Sequence, residues 1–484
     1  MLFNSIEFLF FLPIVFILYW LISKRKLTYQ NFFILIASYI FYGWWDWRFL
    51  FLIFISTLID YIIGLQIYKN PNNNSFRKKM LLISIFFNIG TLCFFKYCNF
   101  FIESFIDFGN TVGLHFENSF ALKIILPVGI SFYTFQTMSY SIDIYKKRIT
   151  PTSDFIAFAS YVSFFPQLVA GPIERASNLL PQILSKRHFN YNQIVDGLKL
   201  ILWGFFKKIV IADSLAPIVD DIFTNFSTLP SSTLALGTLF FSFQIYSDFS
   251  GYSDIAIGTA KLFGIELMSN FKFPYFSKNI GEFWRKWHIS LSTWFRDYIY
   301  IPLGGSRVGT YKSILNIFII FIVSGFWHGA NWTYVIWGGI HALIFIPSFI
   351  LGNNRKYIDN SQGNFTKKNN PFIFLKVIST FSLVTLSWIF FRSNSITSAI
   401  QYIKRMFSDF NYQSYSHPNG YRMIDYFIIL ALFIVYEFII KDNERKPIPF
   451  KSKTIRFIVY VGLVLSILLF YNNNADRSFI YFQF

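Results

Sequence analysis

Apolar runs recur along nearly the whole sequence, among them residues 8–22, 81–95 and 457–470. With its flanks, each reaches the roughly 20 residues that cross about 30 Å of hydrocarbon as a helix. Only 14% of the 484 residues are charged, where a soluble domain carries about 25%. Aromatic residues make up 22%, with 65 Phe, 29 Tyr and 12 Trp. The chain reads as an all-α polytopic membrane protein. Disorder, a secreted disulfide scaffold and a water-soluble enzyme are excluded.

The formal charge is +18, from 43 Lys and Arg against 25 Asp and Glu. The cations sit in short clusters between apolar runs, without the continuous basic face that nucleic acid requires, so no nucleic-acid partner is expected. The positive-inside rule accounts for them instead. No basic residue precedes the first run, and Lys24-Arg25-Lys26 comes directly after it. That order marks a signal-anchor with the N-terminus outside, not a cleavable leader. Residues 3–22 then cross inward, 31–42 return, and Trp44-Trp45-Asp46-Trp47 makes an outer aromatic turn. Residues 49–68 cross again and leave Lys69, Arg77, Lys78 and Lys79 inside; 80–100 exit, and 122–144 re-enter to stop at Lys146-Lys147-Arg148. Further spans follow at 314–326, 331–351, 372–391, 424–440 and 456–471, with polar loops at 352–370 and 441–453. About 11 to 13 transmembrane or re-entrant helices are expected. They form one domain, with N-terminal spans over 1–150, a core over 151–345, C-terminal spans over 346–471 and an outward-facing aromatic tail over 472–484. Both termini are expected outside. Cys93 and Cys98 fall on different faces of one helix, so neither a bridge nor a zinc site is expected.

Residues 154–183, 196–215 and 234–267 mix apolar stretches with Pro166, Pro172, Lys207, Lys208, Asp248, Asp254 and Lys261. Irregular backbone survives at membrane depth only when buried in protein or lining a wet cavity, so broken or re-entrant helices are expected there. Ionisable residues at that depth default to functional candidates; ordinary helices with snorkelling lysines are the alternative.

There are six histidines. His115, His188 and His417 fall in polar stretches and read as solvated. His328 lies in Ser324-Gly325-Phe326-Trp327-His328-Gly329-Ala330-Asn331-Trp332, between two apolar spans. A neutral imidazole there can take a proton from a hydroxyl while shielded from water; a packed, hydrogen-bonded core histidine is the other reading. His341 lies 13 residues on, roughly 220° around a continuous helix, and reads as structural. His288 lies between Glu282 and Tyr298. Wound as one helix, Arg285, His288, Ser292 and Arg296 form a polar stripe opposite Phe283, Trp287, Leu291, Trp294 and Tyr298, which predicts an amphipathic helix at the interface. Either that helix only anchors, or Arg285 and Arg296 receive an anionic ligand through bidentate contacts. No Walker glycine loop, His-Glu-x-x-His metal site or Gly-x-Ser-x-Gly elbow occurs. No metal is expected, and a base without a serine nucleophile suggests direct transfer between two bound substrates.

These stretches resemble the membrane-bound O-acyltransferases, in the bacterial branch of alginate and peptidoglycan O-acetyltransferases. The resemblance is carried by Leu126-Pro127-Val128-Gly129-Ile130-Ser131-Phe132-Tyr133-Thr134-Phe135-Gln136, by Phe165-Pro166-Gln167-Leu168-Val169-Ala170-Gly171-Pro172-Ile173, and by Gln244-Ile245-Tyr246-Ser247-Asp248-Phe249-Ser250-Gly251-Tyr252-Ser253-Asp254. The stretches 282–306 and 324–332 continue it in the family's order. It implies helices around a central channel, a donor entering from the cytoplasm and an acceptor from outside. It makes His328 the catalytic histidine and His288 the second signature histidine, with acetyl-CoA as donor substrate and no bound cofactor. It also implies a bacterial inner-membrane location and a separate periplasmic partner, an SGNH-type acyltransferase or other envelope-modifying protein.

Acyl transfer from a thioester needs a base and oxyanion stabilisation. His328 is the expected base, with Asn331 or a nearby backbone N–H at the oxyanion. Arg285 and Arg296 would meet donor phosphates, or else lipid headgroups. Related envelope-acylating systems use a C-terminal tyrosine as a temporary acyl carrier, which on that resemblance makes Tyr481 a relay; an aromatic-belt anchor is the alternative. Two further functions compete: D-alanyl transfer to teichoic acid on the same core, and a transporter using the same buried polar residues.

Overall fold

The computed structural model describes residues 1–114, 122, 124–169, 171–355, 371–408, 412–471 and 479–480. Every regular element among them is helical, as lipid demands of a backbone that finds no water to bond. Among the described residues, seven helices are long and apolar enough to cross a membrane: Arg48–Lys69, Asn74–Thr111, Thr310–His328, Trp332–Ile350, Phe372–Arg392, Met423–Ile440 and Lys453–Phe470. Ile6–Ile22 is a shorter apolar helix. The larger number read from sequence also counted interior helices. Ile130–Tyr145, for instance, is buried on every face, so it needs no apolar surface of its own for lipid.

The middle block is only partly irregular. Residues 154–183 do break up, into Phe155–Ser163, Phe165–Leu168 and Ala176–Leu184. Residues 196–215 follow the helix Tyr191–Phe205 into a π-helical stretch, Phe206–Asp213, and on into Ser214–Thr224. The expected break in 234–267 is absent: Ser231–Leu262 is a single helix of 32 residues. Four of its polar residues find partners on other elements: Asp248 and Asp254 pair with Lys208 and Lys207, Ser242 bonds Thr385 and Tyr246 bonds Glu437. The helix Ile396–Ser408 carried too few apolar residues to be read as a span.

The chain divides into two compact units, Met1–Gly197 with Ala256–Met268, and Leu198–Ile255 with Ser269–Phe484. In the first, the fully buried Asp60 joins three helices. Its carboxylate accepts from Ser84 Oγ (2.5 Å), Ser141 Oγ (2.6 Å) and Asn88 Nδ2 (2.8 Å). Arg187 is buried there too, donating to Gln30 Oε1 and Asn31 Oδ1 over the Tyr19 ring, while its neighbour His188 is exposed. His115 lies outside the described residues.

In the second unit the Thr310–His328 and Trp332–Ile350 helices pair as a tight hairpin. Gly325 and Gly338 make the approach possible, since a Cβ on Gly325 would strike the Tyr334 carbonyl and one on Gly338 the Phe321 carbonyl. His417 also belongs here, and it is buried, contrary to its reading as solvated. Its Nδ1 accepts from Asn419 N–H at 3.0 Å and its ring stacks on Tyr426, a fold-back that a polar loop sequence does not reveal.

Candidate active site

His328 is the last residue of the Thr310–His328 helix, with Gly329 as its C-cap. The turn 329–331 reverses the chain, and Asn331 caps the next helix by accepting from Thr333 N–H at 2.9 Å. Its Nδ2 donates to the Asn394 carbonyl. The carboxamide expected at an oxyanion therefore serves the turn that holds His328. The imidazole is 2% exposed and lies among rings: Trp327 at 5.0 Å, Trp337 edge-on at 5.2 Å and Phe391 at 5.4 Å between centroids.

His288 comes from a different element, and the single amphipathic helix expected around it does not exist. Ile280–Lys286 and Ile289–Phe295 are two short helices. Between them His288 sits in the left-handed region at φ 42 and is 1% exposed. The break is enforced by the segment preceding Pro274: Lys272 N–H donates to the Lys286 carbonyl and Ile289 N–H to the Asn270 carbonyl. The predicted polar stripe is thereby split. His288 turns inward, whereas Arg296 is exposed and forms a two-pronged pair with Asp297 at 2.7 and 3.2 Å, which holds its guanidinium even more firmly charged. Arg285 donates to the Asn354 carbonyl.

The structure brings the two histidines together, with ring centroids 6.4 Å apart. Phe249 on the long helix covers His288 edge-on at 4.6 Å. Ser290 Oγ lies 3.5 Å from His288 Nδ1 and donates to Asn270 Oδ1 at 2.6 Å; Asn270 Nδ2 in turn donates to Ser253 Oγ at 3.0 Å. With its own proton spent on Asn270, Ser290 can only accept from His288. That selects the Nδ1–H tautomer and makes Nε2 the basic nitrogen. Burial holds this imidazole well below the ordinary histidine value, so it is neutral.

The expected separation of His341 from His328 assumes one continuous helix. The hairpin turn removes that premise. Trp337 touches His328 on one side and His341, at 4.7 Å, on the other, and His341 Nε2 meets Ser387 Oγ at 2.9 Å. It supports the cage around His328 through the tryptophan.

The ionisable residues of the middle block are buried but paired. Lys208 Nζ contacts Asp248 (2.6 Å) and Asp213 (2.8 Å), and Lys207 contacts Asp254 (2.7 Å). Lys261 bonds Glu266 nearer the surface. Two acids escaped the sequence reading. Glu437, which accepts from Tyr246 Oη at 2.8 Å, and Asp60 are each a lone carboxylate inside an apolar run, and that was the signal. Asn270 and Ser290 gave none.

The tail returns into this unit. Phe479 is fully buried against Tyr252 (4.7 Å) and Phe249 (5.4 Å), and Ile480 N–H donates to Asp248 Oδ2 at 2.7 Å. Tyr481 lies outside the described residues.

A multi-pass helical protein that brings together two buried imidazoles, one at the end of a spanning helix and one between two short helices, has the build of a membrane-embedded transferase, and comparison agrees. The family model of the membrane-bound O-acyltransferases matches residues 146–358, which include both histidines. The chain is 40% identical to the probable alginate O-acetylase AlgI of Pseudomonas putida over 409 residues, 84% of this chain and 80% of that one. It is 36% identical to the peptidoglycan O-acetyltransferase of Helicobacter pylori over 438 residues, again 84% and 80%. The teichoic acid D-alanyltransferase of Bacillus subtilis is 27% identical over 288 residues, 56% of this chain and 69% of that one. The chain belongs to the membrane-bound O-acyltransferase family. It is an acyl-transferring enzyme of the membrane, and the transporter reading is set aside.

Proposed function

We propose that this enzyme transfers an acetyl group from cytoplasmic acetyl-CoA to a hydroxyl destined for an envelope polysaccharide of the alginate or peptidoglycan kind. The observation that carries the reading is the buried pair of His328 and His288, 6.4 Å apart, inside the stretch that matches the family. His328 is the base. It takes the proton of the accepting hydroxyl as that oxygen attacks the thioester carbon; the C–S bond then breaks, and the proton passes to the departing thiolate. The ring cage excludes water that would hydrolyse the thioester. With Asn331 engaged in the turn, a backbone N–H of residues 329–331 is the oxyanion donor. Arg285 and Arg296 remain the proposed contacts of the donor phosphates, and each must first exchange an intramolecular partner.

Tyr481 is proposed as the acyl relay to an extracytoplasmic partner of the SGNH type. The burial of Phe479 and Ile480 beside Phe249, itself against His288, supports a tail that docks near the histidines. The setting is the bacterial inner membrane, with both termini outside. D-Alanyl transfer rests on the weaker and shorter match.

Protein reconstituted in liposomes with labelled acetyl-CoA tests the reading. Label should move to Tyr481 or to an added acceptor, and His328→Ala should lose roughly 100-fold or more of the transfer, the scale of general-base catalysis. Transfer surviving in His328→Ala removes the assignment of the base. Transfer surviving in Tyr481→Phe removes the relay alone, and a preference for a D-alanyl donor would move the enzyme to the other branch.

A further inference from the structure

The two basic clusters that the positive-inside rule uses as topological markers, one after residue 68 and one after residue 145, converge in the first unit on a single cavity of about 1170 Å³. That exceeds the roughly 300–1,000 Å³ of ordinary small-ligand clefts. Lys69, Arg77, Lys147 and Arg148 line it, no acidic residue does, and Leu180 and Leu184 lie along its apolar wall. None of its lining residues belongs to the histidine site.

Two details show that the cations are placed. Lys147 is left-handed at φ 57, at the position where a helix end usually takes glycine. Lys147 N–H bonds the Ile144 carbonyl and Arg148 N–H the Asp143 carbonyl, so the cap fixes the backbone that carries two basic residues at the rim. Glycine would close the same cap without strain but would bring no charge. Arg77, in turn, is 5% exposed. It is held by the Tyr145 carbonyl and ring, yet its Nε–H has no acceptor among the described residues. Asp143 pairs with Arg148 at 3.3 Å.

We propose that this cavity binds the headgroup of an anionic phospholipid, the phosphodiester meeting Lys69, Arg77, Lys147 and Arg148 and the acyl chains leaving along Leu180 and Leu184. A basic pocket among the cytoplasmic ends of membrane helices is suited to such a headgroup. The apolar wall and the clustering at helix ends favour a lipid over a soluble nucleotide.

Full-length protein in neutral detergent, titrated separately with phosphatidylglycerol, phosphatidylethanolamine and coenzyme A and read by native mass spectrometry, tests this. One phosphatidylglycerol should be retained per chain at concentrations where the zwitterionic lipid is not, and coenzyme A should not displace it. The Lys69→Gln/Lys147→Gln variant should lose retention by roughly 25-fold, taking about fivefold per cation at an anionic surface. Lys78→Gln/Lys79→Gln, which changes the adjacent cations outside the cavity, should leave retention unchanged. Equal retention of both lipids, an unaffected Lys69→Gln/Lys147→Gln variant, or equal loss in the control pair would overturn the site. Displacement by coenzyme A would overturn the lipid and assign the cavity to a nucleotide.

Discussion

A left-handed histidine is strained by about 1–3 kcal/mol, and His288 stays there because its neighbours are bonded on both sides. Asn270 is the residue that joins these bonds. Its carbonyl takes Ile289 N–H, its Oδ1 takes Ser290 Oγ and its Nδ2 reaches Ser253. Asn270→Ala takes the acceptor from the Ser290 hydroxyl and the donor from Ser253 Oγ, which costs about 1–3 kcal/mol, so the thermal midpoint of the purified protein should fall. A positioning role predicts more than instability: kcat should drop while the donor KM holds, because the tautomer of His288 is no longer selected. An unchanged midpoint and kcat would show that the string from Ser253 to His288 is idle. None of this was legible in the sequence. Asn270 and Ser290 are ordinary polar residues separated by a break that only the folded segment around Pro274 imposes, whereas His328 stood out because an imidazole between apolar spans is unusual by itself.

The hairpin that carries His328 depends on glycine in a way that can be separated from mere helix propensity. A Cβ at Gly338 would collide with the Phe321 carbonyl, whereas one at Gly339 would meet only Ile322 Cδ1 at 3.6 Å, an ordinary contact. Both positions are helical and adjacent, so propensity changes about equally. Gly338→Ala should therefore spread the hairpin and abolish transfer, with Gly339→Ala near wild type, by expression-normalised assay; equal activity in the two would refute a close helix contact as the support of His328. The spans were legible because lipid imposes one rule, about 20 apolar residues between charges. Thr310–His328 and Trp332–Ile350 fall within a few residues of the runs at 314–326 and 331–351. Residues 280–295 obey no such rule. There the 3.6-residue pattern predicted one helix, and tertiary bonds to Asn270 and Lys272 split it in two.

The second unit carries a buried charge cluster. Lys208 pairs with both Asp248 and Asp213, at 2.6 and 2.8 Å, and Asp248 also receives the tail through Ile480. Removing one partner of a buried pair costs about 3–5 kcal/mol, so Lys208→Met should lower the thermal midpoint sharply and release the tail to carboxypeptidase. A tail still protected in folded protein would show that Phe479 alone holds it.

The distribution of the +18 formal charge bears on the entire molecule, because it predicts which loops face the cytoplasm. Lys78 and Lys79 lie in the first two turns of Asn74–Thr111, just after the Arg48–Lys69 span, and Trp47 lies in the turn before Arg48–Lys69. If clusters of Lys and Arg face the cytoplasm, these two sites lie on opposite sides of the membrane. In a background with Cys93 and Cys98 replaced by serine, Trp47→Cys should react with an impermeant maleimide in intact cells, and Lys78→Cys only after permeabilisation. Both side chains are exposed, so reactivity reports sidedness and not burial. The reverse pattern would invert the topology. It would place the Lys69 to Arg148 cavity on the outer leaflet, and it would contradict the proposed entry of acetyl-CoA from the cytoplasm.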